Sequence, residues 1–209
     1  MSSDIIIHEP FETAARQKVA VPFGVWSFLA TECLFFGGIF LFYAYARWHG
    51  GEAFSAGAKE TDIWFGSANT FILMTSSLTM AIAERATKEG LVRLARWMLW
   101  ATIGFGLAFL VVKGFEYRKD ISEHLIPGPH FKLEQGPAAQ FWAFYWTVTV
   151  THAIHLTIGL GVVGRLLWID RRGDLAPHAT TAEGTALYWH LVDIVWVILY
   201  PLLYLVGRP

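Results

Sequence analysis

The chain has 209 residues, of which 55% are hydrophobic and only 16% are charged, whereas an average soluble domain carries about 25% charged residues. This composition excludes an ordinary soluble domain and predicts an integral membrane protein. The formal net charge of −1 lacks the basic excess of nucleic-acid-binding proteins, so no nucleic acid is expected as a partner. The single cysteine, Cys33, excludes an internal disulfide.

Apolar segments predict five membrane-spanning helices, because about 20 apolar residues cross the hydrocarbon core of a bilayer. The predicted spans are approximately 21–47, 64–83, 94–115, 141–168 and 185–206. They are far longer than the roughly ten-residue strands of a membrane barrel. The predicted fold is therefore all-α, a polytopic bundle of five transmembrane helices that forms a single membrane domain over residues 1–209.

The residues before the first span do not resemble a signal peptide, because they lack a basic start that leads directly into a short apolar core. Residues 1–20 are instead predicted to be a cytoplasmic N-terminal segment. Lys and Arg accumulate on the cytoplasmic side of membrane proteins. Nine of these residues fall on the side of the N-terminus and six on the other, which predicts an N-terminus inside and a C-terminus outside.

The first span contains an acid, Glu32, near its middle. An ionised carboxylate costs about 2.5 kcal/mol or more at the centre of a bilayer, so such a residue suggests a functional site. One interpretation is a protonated carboxyl group bonded to a neighbouring helix. The other is a role with a proton or a lipid headgroup, and both interpretations remain open at this point.

Spans two and three are joined by a short charged loop and are predicted to form an antiparallel hairpin. Span two carries many hydroxyl and amide side chains, which are expected to bond to the backbone or to neighbouring helices. A polar conduction path is the alternative. Lys113 and Glu116, one helical turn apart near the end of span three, are predicted to pair with each other at the membrane interface.

Spans four and five each carry a pair of polar side chains at i, i+3 spacing. His152 and His155 are predicted to share one face of span four, and His190 and Asp193 have the same spacing in span five. Two histidines and a carboxylate could hold a metal ion. We favour an interhelical hydrogen-bond cluster, because the paired ligand motifs of di-metal bundles and the haem attachment motif CxxCH are absent from the sequence.

Several strings of residues in these spans are characteristic of one family. They are FGVWSFLATECLFFGGIFLFYAYARW at 23–48, ANTFILMTSSLTMA at 68–81, VVKGFEY at 111–117, THAIHLTIGL at 151–160, and Glu183 followed by YWHLVDIVWVILY at 188–200. In this order they resemble subunit III of the haem-copper oxidases. The full-length family has seven spans, so a chain without the first two resembles the shorter type of some bacterial cytochrome c oxidases, quinol oxidases and nitric-oxide-reductase-associated relatives. Val150 and Ala153 also replace glycines of the mitochondrial type.

This resemblance implies an accessory subunit in the bacterial inner membrane, with no catalytic centre and no redox cofactor or metal of its own. Family members pack against the catalytic subunit I of a multi-subunit oxidase, bind phospholipid in a cleft, and support proton uptake and stability during turnover. Haem and copper belong to the partner subunits. The different-class alternatives are a stand-alone proton channel or transporter, and a membrane metalloenzyme that uses the two histidines of span four.

The resemblance also suggests roles for the polar residues of the spans. We predict that one buried network fixes the bundle and borders a bound lipid, formed by Glu32, His152, His155, His190 and Asp193. Contacts with headgroups or neighbouring subunits are predicted for Glu183, Arg165 and Arg171, since arginine binds phosphate in a bidentate manner.

Overall fold

The computed structural model describes residues 14–133, 136–171, 175, 178–206 and 208. These residues form five long α-helices and contain no β-strand, which confirms the all-α prediction. In chain order they are α1 (Ala14–Lys59), α2 (Ile63–Lys88), α3 (Val92–Ser122), α4 (Pro137–Arg171) and α5 (Ala179–Tyr200), with a π-helical segment at Pro201–Leu205.

Four helices of the described residues are long and apolar enough to cross a membrane. They are Pro22–Lys59, Val92–Ser122, Pro137–Arg171 and Ala179–Leu205. The remaining predicted span, 64–83, lies within α2, whose hydroxyl and amide side chains make it less apolar than the others. The structure therefore confirms four strongly apolar spans, and the fifth span remains a prediction.

Helices α2 to α5 pack against one another, and α1 lies on the outside of this group. Helices α2 and α3 form the predicted hairpin, and its turn contains Gly90 at a φ of 73°. Helix α5 packs against both α2 and α4, whereas α1 contacts mainly α4 and α5. Large apolar side chains of α1, such as Trp26, Leu34 and Trp48, are exposed. This surface is suited to lipid or to partner subunits.

The start of α2 is fixed by Asp62, which lies between α1 and α2. Its carboxylate accepts hydrogen bonds from the backbone N–H of Trp64 at 3.0 Å and from Lys119 Nζ at 2.6 Å. Partial burial acts to raise the pKa of Asp62, but the hydrogen bonds to its carboxylate and the positive charge of Lys119 together outweigh it and lower that pKa below its ordinary value. Asp62 therefore caps α2 and links it to the end of α3.

The chain changes from α-helix to π-helix at Pro201, which has no backbone N–H to continue the α-helical bonding pattern. Carbonyl groups of this segment bond to other parts of the chain: Tyr43 donates to Leu202 O at 2.6 Å and Thr61 donates to Leu203 O at 3.0 Å. The segment also places the ring of Tyr204 against α2 at Gly66. A Cβ atom on Gly66 would lie 2.7 Å from that ring, so only glycine fits there without displacement.

Candidate functional site

Glu32 bonds to His155 across the contact between α1 and α4. Its Oε2 lies 3.0 Å from His155 Nε2, and both side chains are 16% exposed. The other ring nitrogen of His155, Nδ1, lies 2.8 Å from Thr151 O. Because a carbonyl oxygen only accepts, Nδ1 carries a hydrogen, and the bond to Glu32 contains a second proton on either the imidazole or the carboxyl group. In both arrangements the pair has no net charge, which removes the main cost of placing Glu32 in a membrane.

Aromatic rings hold His155 in position. Phe35 stacks on the imidazole with ring centroids 6.0 Å apart, and Phe36 meets its edge at 5.1 Å. Tyr188 of α5 donates a hydrogen bond to the backbone oxygen of His155 at 3.0 Å. The pair is therefore fixed by three helices rather than by α4 alone.

The Glu32–His155 pair lines a cleft of about 550 Å³ between α1, α4 and α5. Its walls are mainly apolar, with Val25 and Phe28 from α1 and Ile158 and Val162 from α4. Threonines 180, 181 and 185 line the wall contributed by α5. The cleft is open to the outside of the bundle, and it offers an apolar surface with one polar pair, which is the character of a site for an amphipathic ligand.

His152 lies apart from this cleft. It is fully buried, its Nε2 lies 3.2 Å from Val192 O, and its ring contacts Phe109 and Trp196. Residues three apart on a helix differ by about 60° in direction, and here that angle directs one histidine into the core and the other into the cleft. The two imidazoles therefore have different hydrogen-bond partners, although they are only one helical turn apart.

His190 and Asp193 lie between α5 and α2. His190 Nδ1 is 2.8 Å from the Ser77 hydroxyl, and Ser77 also lies beside the Asp193 side chain. Both carboxylate oxygens of Asp193 are buried without a hydrogen-bond partner among the described residues. These two residues thus share a neighbour in α2, but none of the hydrogen bonds observed among the described residues joins them to Glu32.

The predicted single network is divided into three parts in the structure. Hydrogen bonds join Glu32 to His155 only, while His152 contacts the α5 backbone and His190 contacts α2. These side chains point to different neighbouring helices and therefore form three separate local sites. Within the described part of the chain, no group of three His, Cys, Asp or Glu side chains is arranged to hold a metal ion.

The three charged residues predicted at helix ends have different neighbours. Glu183 is exposed and pairs with Lys88 of α2 at 3.1 Å. Arg165 is exposed on α4. Arg171, the last residue of α4, lines a small cavity between α3 and α4. None of these three residues lines the Glu32 cleft.

A buried charged cluster around Lys113 contains more residues than the pair predicted from the sequence. Lys113 Nζ bonds to Glu116 at 3.0 Å, which confirms the predicted pair, and both side chains are almost fully buried inside the bundle. Lys113 also contacts the hydroxyls of Tyr145 at 3.1 Å and Tyr204 at 2.7 Å. Asp120 completes the cluster by accepting from Tyr145 at 2.8 Å. We name these five residues the Lys113 cluster.

The α3 part of the Lys113 cluster is visible in the sequence, because positions 113, 116 and 120 lie on one helical face. The two tyrosines are not, since they come from α4 and from the π-helical segment. Their hydroxyls bond to Glu116 Oε1 at 2.8 Å and 2.6 Å, and their rings cover the charges. The cluster therefore joins three distant segments inside the bundle.

The hydroxyl groups of α2 mostly bond as predicted. Thr75 donates to its own helix backbone, Thr79 contacts Thr102 of α3 at 2.8 Å, and Ser67 contacts Tyr200 at 2.8 Å. The exception is Asn69, whose amide is buried without a partner among the described residues. These bonds favour packing over an open polar path.

The fold and these sites define a polytopic helical membrane protein in which buried polar side chains bond between helices, beside a cleft that opens outward. The family model for cytochrome c oxidase subunit III matches residues 3–208. The chain therefore belongs to the cytochrome c oxidase subunit III family, which confirms the resemblance found in its motifs.

Curated relatives agree with this assignment. Cytochrome c oxidase subunit 3 of Thermostichus vulcanus is 31% identical over 88% of this chain and 87% of its own length. The cytochrome bo(3) ubiquinol oxidase subunit 3 of Pseudomonas putida is 27% identical over 88% and 84%. Heme-copper oxidase subunit I+III of Aeropyrum pernix is 31% identical over 95% of this chain, which corresponds to 24% of that longer protein.

Proposed function

We propose that the chain is the accessory subunit III of a respiratory haem-copper terminal oxidase and holds phospholipid in the Glu32 cleft. Family membership supports the subunit role. The relative named as heme-copper oxidase subunit I+III supports subunit I as the main partner, because the two subunits are named together in one chain. Haem and copper are then carried by the partner subunits, and this chain contributes no catalytic centre.

Both cytochrome c oxidases and quinol oxidases occur among the named relatives. The proposal is therefore a terminal oxidase of either kind, with the cytochrome c type as the first candidate. The electron donor binds in other subunits, so its choice does not alter the role of this chain.

The cleft is the observation that carries the lipid part of the proposal. An acyl chain fits a groove with apolar walls, and burial of apolar surface contributes roughly 25 cal/mol per Å². The neutral Glu32–His155 pair borders the groove without placing a net charge against hydrocarbon. A lipid held there would also cover the loosely packed side of α1 and stabilise its contact with α4 and α5. Support of proton uptake and of stability during turnover belongs to the same proposal.

We further propose that α2 is a fifth span, with the N-terminus on the cytoplasmic side of a bacterial inner membrane. At 26 residues and 1.5 Å per residue, α2 is about 39 Å long, against about 30 Å of hydrocarbon. It packs along α3 and α5, and most of its polar side chains bond within the bundle. The excess of Lys and Arg on the N-terminal side supports the orientation.

Filling the cleft should remove a bound phospholipid. We expect Ile158→Trp to reduce the number of phospholipids retained by the purified oxidase complex by about one per complex, because Ile158 lines the cleft and an indole would occupy the space of an acyl chain. Native mass spectrometry of the complex in mild detergent measures the lipid count directly.

Ile154→Trp is the matched control. Ile154 and Ile158 are 55% and 54% exposed on the same helix, but Ile154 does not line the cleft. The Ile154→Trp variant should leave the lipid count unchanged. Equal lipid counts in the two variants and the native complex would contradict lipid binding in this cleft.

A further inference from the structure

A smaller, polar cavity lies between α3 and α4, away from the Glu32 cleft. It has a volume of about 340 Å³ and is lined by Arg96, Trp100, Leu167, Asp170 and Arg171. The cleft uses residues 155, 158 and 162 of α4, whereas this cavity uses residues near the end of that helix and the beginning of α3. The two sites therefore lie at different levels along α4, one beside α1 and α5 and the other beside α3.

Asp170 fixes the position of Arg96. The Arg96 side chain donates from Nε and Nη2 to the Asp170 carboxylate, with Nη2 at 3.3 Å from Oδ1. Asp170 is 1% exposed at its side chain, whereas Arg96 is 48% exposed. A guanidinium group has five N–H donors, so the buried carboxylate holds one edge of Arg96 and leaves the remaining donors accessible from the cavity.

The charge of the cavity favours an anion. Among the described residues that line it, two arginines accompany one carboxylate, and Asp170 is already engaged by Arg96. Arg171 is exposed at the same rim. Two guanidinium groups at one small cavity match the oxygens of a phosphate group, which arginine binds in a bidentate manner.

The surroundings place this cavity at the level of lipid headgroups. Trp97, Trp100 and Trp168 are exposed near the same helix ends, and exposed tryptophans in membrane proteins concentrate at the membrane–water interface. Trp100 lines the cavity and offers an apolar ring beside the two cations. This combination suits a ligand with a phosphate and an attached apolar part.

We propose that the cavity between α3 and α4 binds the phosphate of an anionic phospholipid through Arg96 and Arg171, with Asp170 as the positioning residue for Arg96. This site is separate from the Glu32 cleft, and its occupancy does not depend on lipid binding there.

Retention of phosphatidylglycerol by the purified complex tests this site. The complex is reconstituted in nanodiscs of phosphatidylcholine mixed with phosphatidylglycerol, then transferred to mild detergent, and the retained lipids are identified by native mass spectrometry. Arg171→Gln should weaken retention of phosphatidylglycerol about fivefold, the effect of one basic residue near an anionic lipid. Retention of phosphatidylcholine should not change.

Arg93→Gln is the matched control, because Arg93 is exposed at the start of α3, on the same helix as Arg96, but does not line the cavity. It should retain phosphatidylglycerol as the native complex does. The double variant Arg96→Gln/Asp170→Asn removes the second arginine without leaving a buried carboxylate unpaired, and should weaken retention by at least as much as Arg171→Gln.

Three results would overturn the proposal. One is equal phosphatidylglycerol retention in Arg171→Gln, Arg93→Gln and the native complex. Another is full retention in the double variant. The third result would show that the site binds a free anion rather than a lipid. In that case inorganic phosphate, added to the complex in phosphatidylcholine alone, would raise the thermal stability of the complex, and Arg171→Gln would abolish this increase. Phosphatidylglycerol would then give no further increase in thermal stability.

Discussion

Replacement of Lys113 by methionine is expected to destabilise the folded chain by about 3–5 kcal/mol, the cost of removing one partner from a buried charge pair. Lys113 is the only cation of the Lys113 cluster, and it bonds to Glu116 and to the hydroxyls of Tyr145 and Tyr204. Its loss leaves two carboxylates, Glu116 and Asp120, in a buried site. Unfolding of the purified protein in mixed micelles with increasing sodium dodecyl sulfate measures the change in free energy.

The control for Lys113→Met is Lys119→Met on the same helix. Lys119 pairs with Asp62 but its side chain is 41% exposed, so its removal should cost about 0–1 kcal/mol. Equal effects of the two substitutions would contradict a structural role for the buried cluster.

The double variant Lys113→Met/Glu116→Gln provides a second readout if Lys113→Met does not accumulate. It removes one negative charge together with the lysine, so its stability should exceed that of Lys113→Met alone. A double variant that is less stable than Lys113→Met would show that the two side chains do not compensate each other.

Substitution of Gly66 by alanine has the second largest expected effect. The added Cβ would lie 2.7 to 2.9 Å from three ring atoms of Tyr204, and this ring belongs to the fully buried Lys113 cluster. Overpacking of this kind costs about 1–3 kcal/mol, offset by up to about 1 kcal/mol because alanine favours a helix more than glycine does. The same micelle titration should show net destabilisation.

Gly104→Ala is the corresponding control in α3. Gly104 is exposed, and nothing lies within 4 Å of an added Cβ, so this substitution should be neutral or stabilising. If Gly66→Ala were as stable as Gly104→Ala, the close approach of Tyr204 to α2 would not constrain the fold.

The helices could be predicted from the local sequence, but the contacts between the helices could not. Apolar runs of sufficient length predicted the four strongly apolar spans, and spacing within α3 predicted the pair of Lys113 and Glu116. Hydropathy identifies α2 less clearly as a span than the other helices. Its hydroxyl groups lower the mean hydropathy, although in the structure they form hydrogen bonds inside the bundle.

At the candidate site, the sequence likewise did not predict which side chains are in contact. Glu32 was recognisable as a residue in need of a partner, but that partner, His155, lies 123 positions away. Helical spacing suggested that His152 and His155 act together, whereas the different neighbours at α5 and α1 separate them. The cavity at Arg96 depends on the pairing of α3 with α4, and neither arginine alone differs in sequence from an ordinary basic residue at a helix end.

A visible absorption spectrum of the complex purified through a tag on this chain tests the subunit role most directly. From native membranes we predict haem absorption bands together with a stoichiometric haem-bearing subunit I. Isolation of the chain alone, without such a partner, would contradict the accessory-subunit role, and stoichiometric iron or copper on the isolated chain would instead favour a metalloenzyme.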